Sequence, residues 1–203
     1  MKEIDIREFR DGIFSLRTRR FGKVAEILIK KLVKAVGPQN QFHDLYDPRS
    51  SNRIEVKFCT VQKKNESSIT DDNVIDAILE ANSANRQVLS TEWQEHDFDC
   101  NIQQVKPDEF DVLYYGVFFA DRIAIFSMEK HEVESLHHYS DKQHKGNVGE
   151  GQFHLNRGTF AYHLKHHFRK WLTYEELLHI IMPDSEKYRL VNSTCSSRRE
   201  KCV

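Results

Sequence analysis

Two acidic residues and a lysine stand close together in the first third of the chain, in a pattern that suits metal-dependent chemistry. Asp44 precedes a turn-forming stretch, and Glu55 and Lys57 follow that stretch with one residue between them. Successive side chains of a β-strand point to opposite faces, so Glu55 and Lys57 share a face if this segment is a strand. A hairpin partner strand would bring Asp44 beside Glu55, which would place two carboxylates and one ammonium group together.

Crowded carboxylates repel each other unless a cation neutralises them, and this repulsion predicts a metal site. Mg²⁺ prefers oxygen ligands, takes one or two protein carboxylates, and completes its shell with water and substrate phosphate. A bound metal ion lowers the pKa of water and neutralises charge that develops on a phosphate. A lysine beside the ion can orient or deprotonate the attacking water, so these residue types together indicate phosphate-ester hydrolysis.

The elements around these residues are those that a hairpin in a sheet requires. Residues 41–46 are predicted to form a short strand, and residues 47–52 contain the Asp, Pro, Ser and Asn typical of turns. Residues 53–60 follow as a second strand. Its opposite face is apolar: Ile54, Val56 and Phe58.

The rest of the chain contains both helical and strand patterns. Helices are predicted over residues 6–13, 24–32, 70–84, 128–136, 159–171 and 173–182. Further strands are predicted over residues 100–106, 123–126 and 152–155. The apolar run of residues 111–119 is typical of a strand buried on both faces or of a buried helix segment, which periodicity does not separate. The last helix opens with the capping box of Thr173 and Glu176 and stops before Pro183. We expect an α/β fold with a mixed sheet of four to six strands and helices on both sides.

The order of the polar residues resembles the motif of the PD-(D/E)XK nuclease superfamily. In that family an acid ends one strand and an acid-x-lysine triplet lies on the next, as Asp44 and the triplet of Glu55, Val56 and Lys57 do here. The preceding helix is also similar to the family's leading helix, which in many members supplies an extra carboxylate. In this sequence that carboxylate would be Glu26.

The resemblance implies a restriction-endonuclease-like mixed central sheet flanked by helices, and Mg²⁺-dependent hydrolysis of DNA that leaves a 5′-phosphate. Asp44 and Glu55 would hold Mg²⁺, or Mn²⁺ as a substitute, with the Val56 carbonyl as a third ligand. Lys57 would position and activate water. Glu26 would support a second ion or hold the ligands of the first.

Two later stretches, residues 102–111 and 149–156, are similar to type II restriction endonucleases. We therefore expect a site-specific enzyme that acts on double-stranded DNA as a homodimer, with no small-molecule cofactor. The alternatives are a structure-specific or repair nuclease of the same superfamily, and a non-catalytic DNA-binding protein that retains only the fold. The motif covers roughly residues 21–60 and departs from the family pattern at His43, where the family has proline.

Polar side chains in the second half of the chain suit contacts to DNA. Gln104 and Lys106 would share a strand face and reach a phosphate near the metal, unless they belong to a plain edge strand. A short segment framed by glycines carries four donor-rich residues: Gln152, His154, Asn156 and Arg157. Gln and Asn can pair with adenine and Arg with guanine, so this segment suits the major groove, and the alternative is a hydrophilic loop.

We predict one nuclease domain over residues 1–183, followed by a polar tail over residues 184–203. Its catalytic core would cover about residues 17–127 and its DNA-contacting part about residues 137–183. His163 and His167 have the spacing of helical zinc ligands, but no HExxH motif accompanies them. Surface or phosphate-contacting histidines are the favoured interpretation.

The amino-acid composition limits the classes of protein to which the chain can belong. The chain has 203 residues, of which 39% are hydrophobic and 30% charged, and no apolar run approaches the ~20 residues of a membrane span. The net charge is −1, but basic residues concentrate in residues 13–34 and 137–171, which allows two basic surfaces. The charged N-terminus and four cysteines without a CxxC pair favour reduced thiols and a cytoplasmic location.

Overall fold

The computed structural model describes residues 2–64, 68–81, 83–142, 149–182 and 188–191, and these residues form a mixed α/β fold. The strands are β1 (Lys2–Asp5), β2 (Leu45–Asp47), β3 (Asn52–Thr60), β4 (Asp99–Val105), β5 (Val112–Phe118), β6 (Arg122–Glu129), β7 (Gly151–Asn156), β8 (Phe168–Thr173) and β9 (Tyr188–Val191). The helices are α1 (Ile6–Phe14), α2 (Thr18–Leu32), α3 (Val74–Glu80), α4 (Ser83–Arg86), α5 (Lys130–Glu134), α6 (Phe160–His166) and α7 (Tyr174–Ile181).

Within the described residues, five strands form a mixed sheet in the order β2-β3-β5-β6-β8. β3 and β5 are parallel, and the other neighbours are antiparallel. β5 and β6 lie inside the sheet and are almost wholly buried. Strands covered on both faces are nearly continuous apolar runs, and the apolar run of residues 111–119, for which the sequence left strand and helix open, contains the strand β5.

Different elements cover the two faces of this sheet. Helices α1, α2 and α7 pack on one face, where Ile54, Val56 and Ile125 join their core. The antiparallel pair of β4 and β7 lies on the other face with α6, whose Phe160 shares a second core with Leu113. The protein therefore has a mixed sheet flanked by helices, which confirms the predicted α/β class.

The predicted hairpin of β2 and β3 is present, but its first strand covers only Leu45–Asp47 instead of the predicted residues 41–46. β2 pairs with β3 only from Leu45 opposite Ile54 to Asp47 opposite Asn52. Among the described residues no other strand pairs with β3 on that side. The edge of β3 from Val56 onward is therefore open, and Asp44 lies just before β2 at the point where the pairing stops.

Two further predicted elements differ from the structure. The helix predicted over residues 159–171 ends at His166, and β8 follows it as the edge strand beside β6. Pairing with β6 and burial of Leu172 favour the strand, so tertiary contacts override the helical pattern there. The helix predicted over residues 70–84 is divided between α3 and α4.

The first and the last described strands lie side by side. β9 lies in the segment predicted to be a polar tail and pairs in parallel with β1. The remainder of that tail, with Cys195 and Cys202, lies outside the described residues, whereas Cys59 and Cys100 are free thiols. None of the helices in the described part of the chain is long and apolar enough to span a bilayer.

Gly116 stands in the middle of β5, where a side chain has no room. A Cβ atom there would overlap the carbonyl oxygen of Ala124 and the ring of Phe58. We expect Gly116→Ala to lower the free energy of unfolding by about 2 kcal/mol, since overpacking a core costs roughly 1–3 kcal/mol. Urea denaturation measures this difference.

The matched control for that substitution is Gly12→Ala in α1. A Cβ atom at Gly12 meets no atom within 4 Å, and alanine is the better helix former. We expect this variant to be as stable as the wild type or slightly more so. Equal urea midpoints for the two alanine variants would contradict the close packing around Gly116.

Candidate active site

The structure brings Asp44, Glu55 and Lys57 together at the open edge of β3. Lys57 Nζ lies 2.5 Å from Glu55 Oε1, as expected for residues on one strand face. Asp44 is held by two backbone contacts: its carboxylate accepts the Val56 N–H at 2.9 Å, and its own N–H donates to the Ile54 carbonyl at 3.1 Å. The acid just before β2 thus meets the middle of β3.

The backbone of Val56 belongs to the same edge. The N–H and C=O of one strand residue point to the same side, and the Val56 N–H points to Asp44. Its carbonyl oxygen is therefore directed to the open edge as well. This orientation is the one needed by the carbonyl ligand that the sequence predicts.

These residues line a small cleft of about 200 Å³ whose walls are mostly polar. The cleft has an excess of negative charge, because four carboxylates and two ammonium groups line it: Asp44, Glu55, Glu109, Glu150, Lys57 and Lys106. Lys106 is shared between two of the acids, with Nζ 3.5 Å from Glu109 Oε1 and 3.6 Å from Glu150 Oε1. Such an excess favours the binding of a cation.

Burial controls the acid–base behaviour of Glu55. Only 9% of this residue is exposed, and desolvation raises the pKa of its carboxyl group from 4.5 to about 7. Lys57 opposes this increase, whereas Asp44 and Glu109 add to it by repulsion. The lysine therefore does not compensate the buried charge completely.

A divalent cation that prefers oxygen ligands fits this set of donors. Within the described ranges, no group of three or more His, Cys, Asp or Glu side chains is placed to hold a metal ion. Mg²⁺ does not need such a group, because water and substrate phosphate complete its shell. The observation that supports the fit is the raised pKa of Glu55, since a nearby cation would relieve its uncompensated charge.

A second, larger cleft of about 500 Å³ adjoins the small one, and Glu26 lines it. Asp44, Lys57 and Gln104 line both clefts, so the two meet at the catalytic candidates. The Glu26 carboxylate pairs with Lys23 on the same helix, and this contact raises the pKa of Lys23. Glu26 thus lies in the cleft beside Asp44 but already has a cationic partner.

The prediction that Gln104 and Lys106 share a strand face is wrong. The register of β4 shifts between Ile102 and Val105, Gln104 has a φ of 56°, and Lys106 follows the end of the strand. An extra residue in a strand breaks the alternation of side chains. Both residues nevertheless line the small cleft.

The donor-rich residues of β7 are not brought to this site. Gln152, His154 and Asn156 share one face of the strand, as alternation predicts. The first two already have partners, because Asn101 Nδ2 donates to Gln152 Oε1 at 3.0 Å and His154 Nδ1 lies 2.7 Å from Asp99 Oδ1. Their predicted contacts to DNA would have to compete with these interactions.

Asn156 and Arg157 line a different cleft, also of about 500 Å³. The Asn156 side chain accepts the N–H groups of Gly158 and Thr159, and Arg157 Nε lies 3.5 Å from Asp97 Oδ1. This cleft shares no lining residue with the two described above. A role of the two residues in DNA binding remains a prediction.

His43 is a residue of the small cleft to which the sequence assigned no role. It is buried, lines the small cleft, and accepts the Gln39 N–H at Nε2 over 3.3 Å. In a neutral imidazole the other nitrogen then carries the proton, and Nδ1 of His43 has no hydrogen-bond partner among the described residues. The residue next to Asp44 therefore carries a buried N–H group that has no hydrogen-bond partner among the described residues.

The favoured interpretation of His163 and His167 as surface or phosphate-contacting residues is wrong, because both are buried. His163 Nδ1 lies 2.7 Å from the Tyr115 hydroxyl, and its Nε2 lies 2.9 Å from His138 Nε2. Burial lowers the pKa of His163 to about 3, so this ring stays neutral and belongs to a polar chain inside the core.

Comparison of the chain with family models, with curated proteins and with solved structures gives no match, so the functional argument depends on the site itself.

The raised pKa of Glu55 predicts a pH-dependent cost of folding. A carboxyl group with a higher pKa in the folded state loses stability as the pH rises from about 4.5 to about 7, because the unfolded chain ionises first. In metal-free buffer with a chelator, Glu55→Gln should gain stability over the wild type across this window. The gain should level off above it at roughly 3 kcal/mol, since a tenfold change in acid dissociation corresponds to about 1.4 kcal/mol.

Chemical denaturation of both proteins between pH 4.5 and 8 measures the difference. Glu95→Gln is the matched control, because Glu95 is exposed and lines none of the clefts described above. Its effect should not change with pH over the same window. A constant difference between Glu55→Gln and the wild type would show that Glu55 is not desolvated in the folded protein.

Proposed function

We propose that the protein is a Mg²⁺-dependent endonuclease that hydrolyses phosphodiester bonds of double-stranded DNA at specific sites, in the manner of type II restriction enzymes. The observation that carries the proposal is the convergence of Asp44, Glu55 and Lys57 at the open edge of β3. Two carboxylates and a lysine in a cleft with excess negative charge are the groups that metal-assisted phosphate hydrolysis requires.

Each residue of the cleft has a distinct role in this proposal. Asp44, Glu55 and the Val56 carbonyl would hold Mg²⁺, for which Mn²⁺ would substitute, and Glu26 would support their shell from the adjoining cleft. When bound, the metal would lower the pKa of a water molecule and offset charge on the phosphate. Gln104 and Lys106 line the same cleft and would contact a phosphate oxygen.

Lys57 would position the attacking water, and the metal would activate that water by lowering its pKa. Its ammonium group lies 2.5 Å from a Glu55 carboxylate oxygen, and its side chain is about one quarter exposed, so the lysine is held in place but accessible. A group fixed in this way supplies orientation, which contributes strongly when the reacting atoms must be aligned. The proposal includes a homodimer in the cytoplasm, because a two-fold protein is the simplest reader of a two-fold DNA site.

The function is tested first by cleavage of supercoiled plasmid with and without Mg²⁺. We expect discrete fragments from the wild type, and loss of cleavage in Asp44→Asn and Glu55→Gln, because each substitution removes a proposed metal ligand. DNA affinity in Ca²⁺ should be retained or increased, since carboxylate–phosphate repulsion falls. Asp72→Asn is the control, because Asp72 is exposed and lines none of these clefts.

The plasmid experiment also separates the alternatives. Cleavage only at irregular DNA structures would indicate a structure-specific or repair nuclease instead of a site-specific one. DNA binding without cleavage under any divalent metal would indicate a binding protein. Turnover near the wild-type rate in either acid variant at saturating Mg²⁺ would overturn the assigned metal ligands.

Lys57→Arg tests the role of the lysine, because the guanidinium keeps the charge but is not deprotonated at any accessible pH. If Lys57 positions the attacking water, the larger planar group should misplace that water. A misplacement of ~1 Å can cost about 100-fold, so we expect a loss of about two orders of magnitude in single-turnover rate. DNA affinity in Ca²⁺ should stay within a few-fold of wild type. Cleavage within about tenfold of the wild-type rate would reduce Lys57 to a neutralising charge.

A further inference from the structure

The larger cleft differs in chemistry from the small cleft that it joins. It lies along the open edge of β3, between α2 and β4. Its lining includes the apolar residues Phe21 of α2 and Val56 and Phe58 of β3. Its lining from β4 includes three amide side chains: Asn101, Gln103 and Gln104. A compartment with both apolar and amide walls thus opens directly onto the candidate catalytic residues.

This combination suits a flat heterocycle that carries hydrogen-bonding groups at its edge. Aromatic side chains stack on nucleobases, and amide side chains pair with the donors and acceptors of base edges. A volume of about 500 Å³ is within the range of roughly 300–1,000 Å³ in which small organic ligands bind. Lys57 lines both clefts, and its ammonium group would bind a phosphate at the point where the two clefts meet.

Two local features distinguish the β4 wall. Asn101 Nδ2 donates to Gln152, which holds the Asn101 amide in place beside the cleft. Gln104 has a positive φ of 56°, which non-glycine residues adopt at an energetic cost, and such strain is concentrated at functional sites. The register shift that includes Gln104 also leaves Gln103 and Gln104 exposed in the cleft.

We propose that the larger cleft binds an unpaired nucleobase of the nucleotide next to the scissile phosphate. The inference rests on the proposed nuclease function and specifies its substrate. Paired bases are stacked inside a duplex and do not reach a lateral cleft, so the base must leave the stack. At its site in double-stranded DNA the enzyme would therefore turn this base out of the stack, and a base that is already extrahelical would enter the cleft without that cost.

The test uses three DNA duplexes that differ at one position: a fully paired duplex, one with a single extrahelical base, and one with an abasic nucleotide in place of that base. The abasic duplex keeps the phosphate and removes only the base. We expect the wild type to cut beside the extrahelical base at least tenfold faster than beside the abasic nucleotide, in proportion to the contribution of base stacking.

Variants of the cleft should reduce this ratio towards one. Phe58→Leu keeps an apolar side chain without the ring, and Gln103→Ala removes an exposed amide. Phe58 also packs against Phe118, so Gln103→Ala keeps the test valid if the first variant does not fold. Gln94→Ala is the control, because Gln94 is exposed and lines neither cleft, and it should leave the ratio unchanged.

Failure of the inference is distinguishable from failure of the nuclease proposal. Equal cleavage of the extrahelical and abasic duplexes by the wild type would overturn the base site alone. A ratio that is unchanged in both cleft variants would do the same. If no duplex is cut, the nuclease proposal fails, and fluorescence anisotropy in Ca²⁺ then decides the base site: a tenfold affinity preference for the extrahelical base supports it, and equal affinities overturn it.

Discussion

The backbone N–H of Val56 donates to the Asp44 carboxylate instead of to a neighbouring strand, and the candidate site depends on this hydrogen bond. β2 pairs with β3 only up to Leu45, so the next backbone donor of β3 would be left unsatisfied, at a cost of about 1–3 kcal/mol if buried. Asp44 satisfies that donor and, in doing so, brings a carboxylate to the open edge. The same interruption of the sheet leaves room for both clefts.

A second constraint is the opposition between burial and charge at Glu55. Its carboxylate lies on the sheet face that β4 and β7 cover, where desolvation outweighs the attraction of Lys57. A protein that needed only stability would gain from replacing such a group with a neutral one. Retaining a destabilised charge beside Asp44 is the kind of compromise between stability and function expected at an active site.

β3 serves three purposes at once because of its position in the fold. One face carries Ile54 and Val56 into the core formed with the helices, and the other carries Glu55 and Lys57. The edge between the faces donates the Val56 N–H to Asp44 and borders the larger cleft. The parallel pairing of β3 with the buried strand β5 fixes all three in place, since a slip of one residue would exchange the faces.

The sequence by itself determined the features that depend on neighbours along the chain. Strand alternation placed Glu55 and Lys57 on one face, turn residues set the hairpin, and the capping box of Thr173 and Glu176 began α7. Only the tertiary structure decided the features that depend on distant residues. Pairing with β6 made residues 168–173 a strand, and the irregular pairing of β4 with β7 turned Gln104 away from simple alternation. Packing against Tyr115 buried His163, because a local pattern specifies which residues share a face but not what will cover that face.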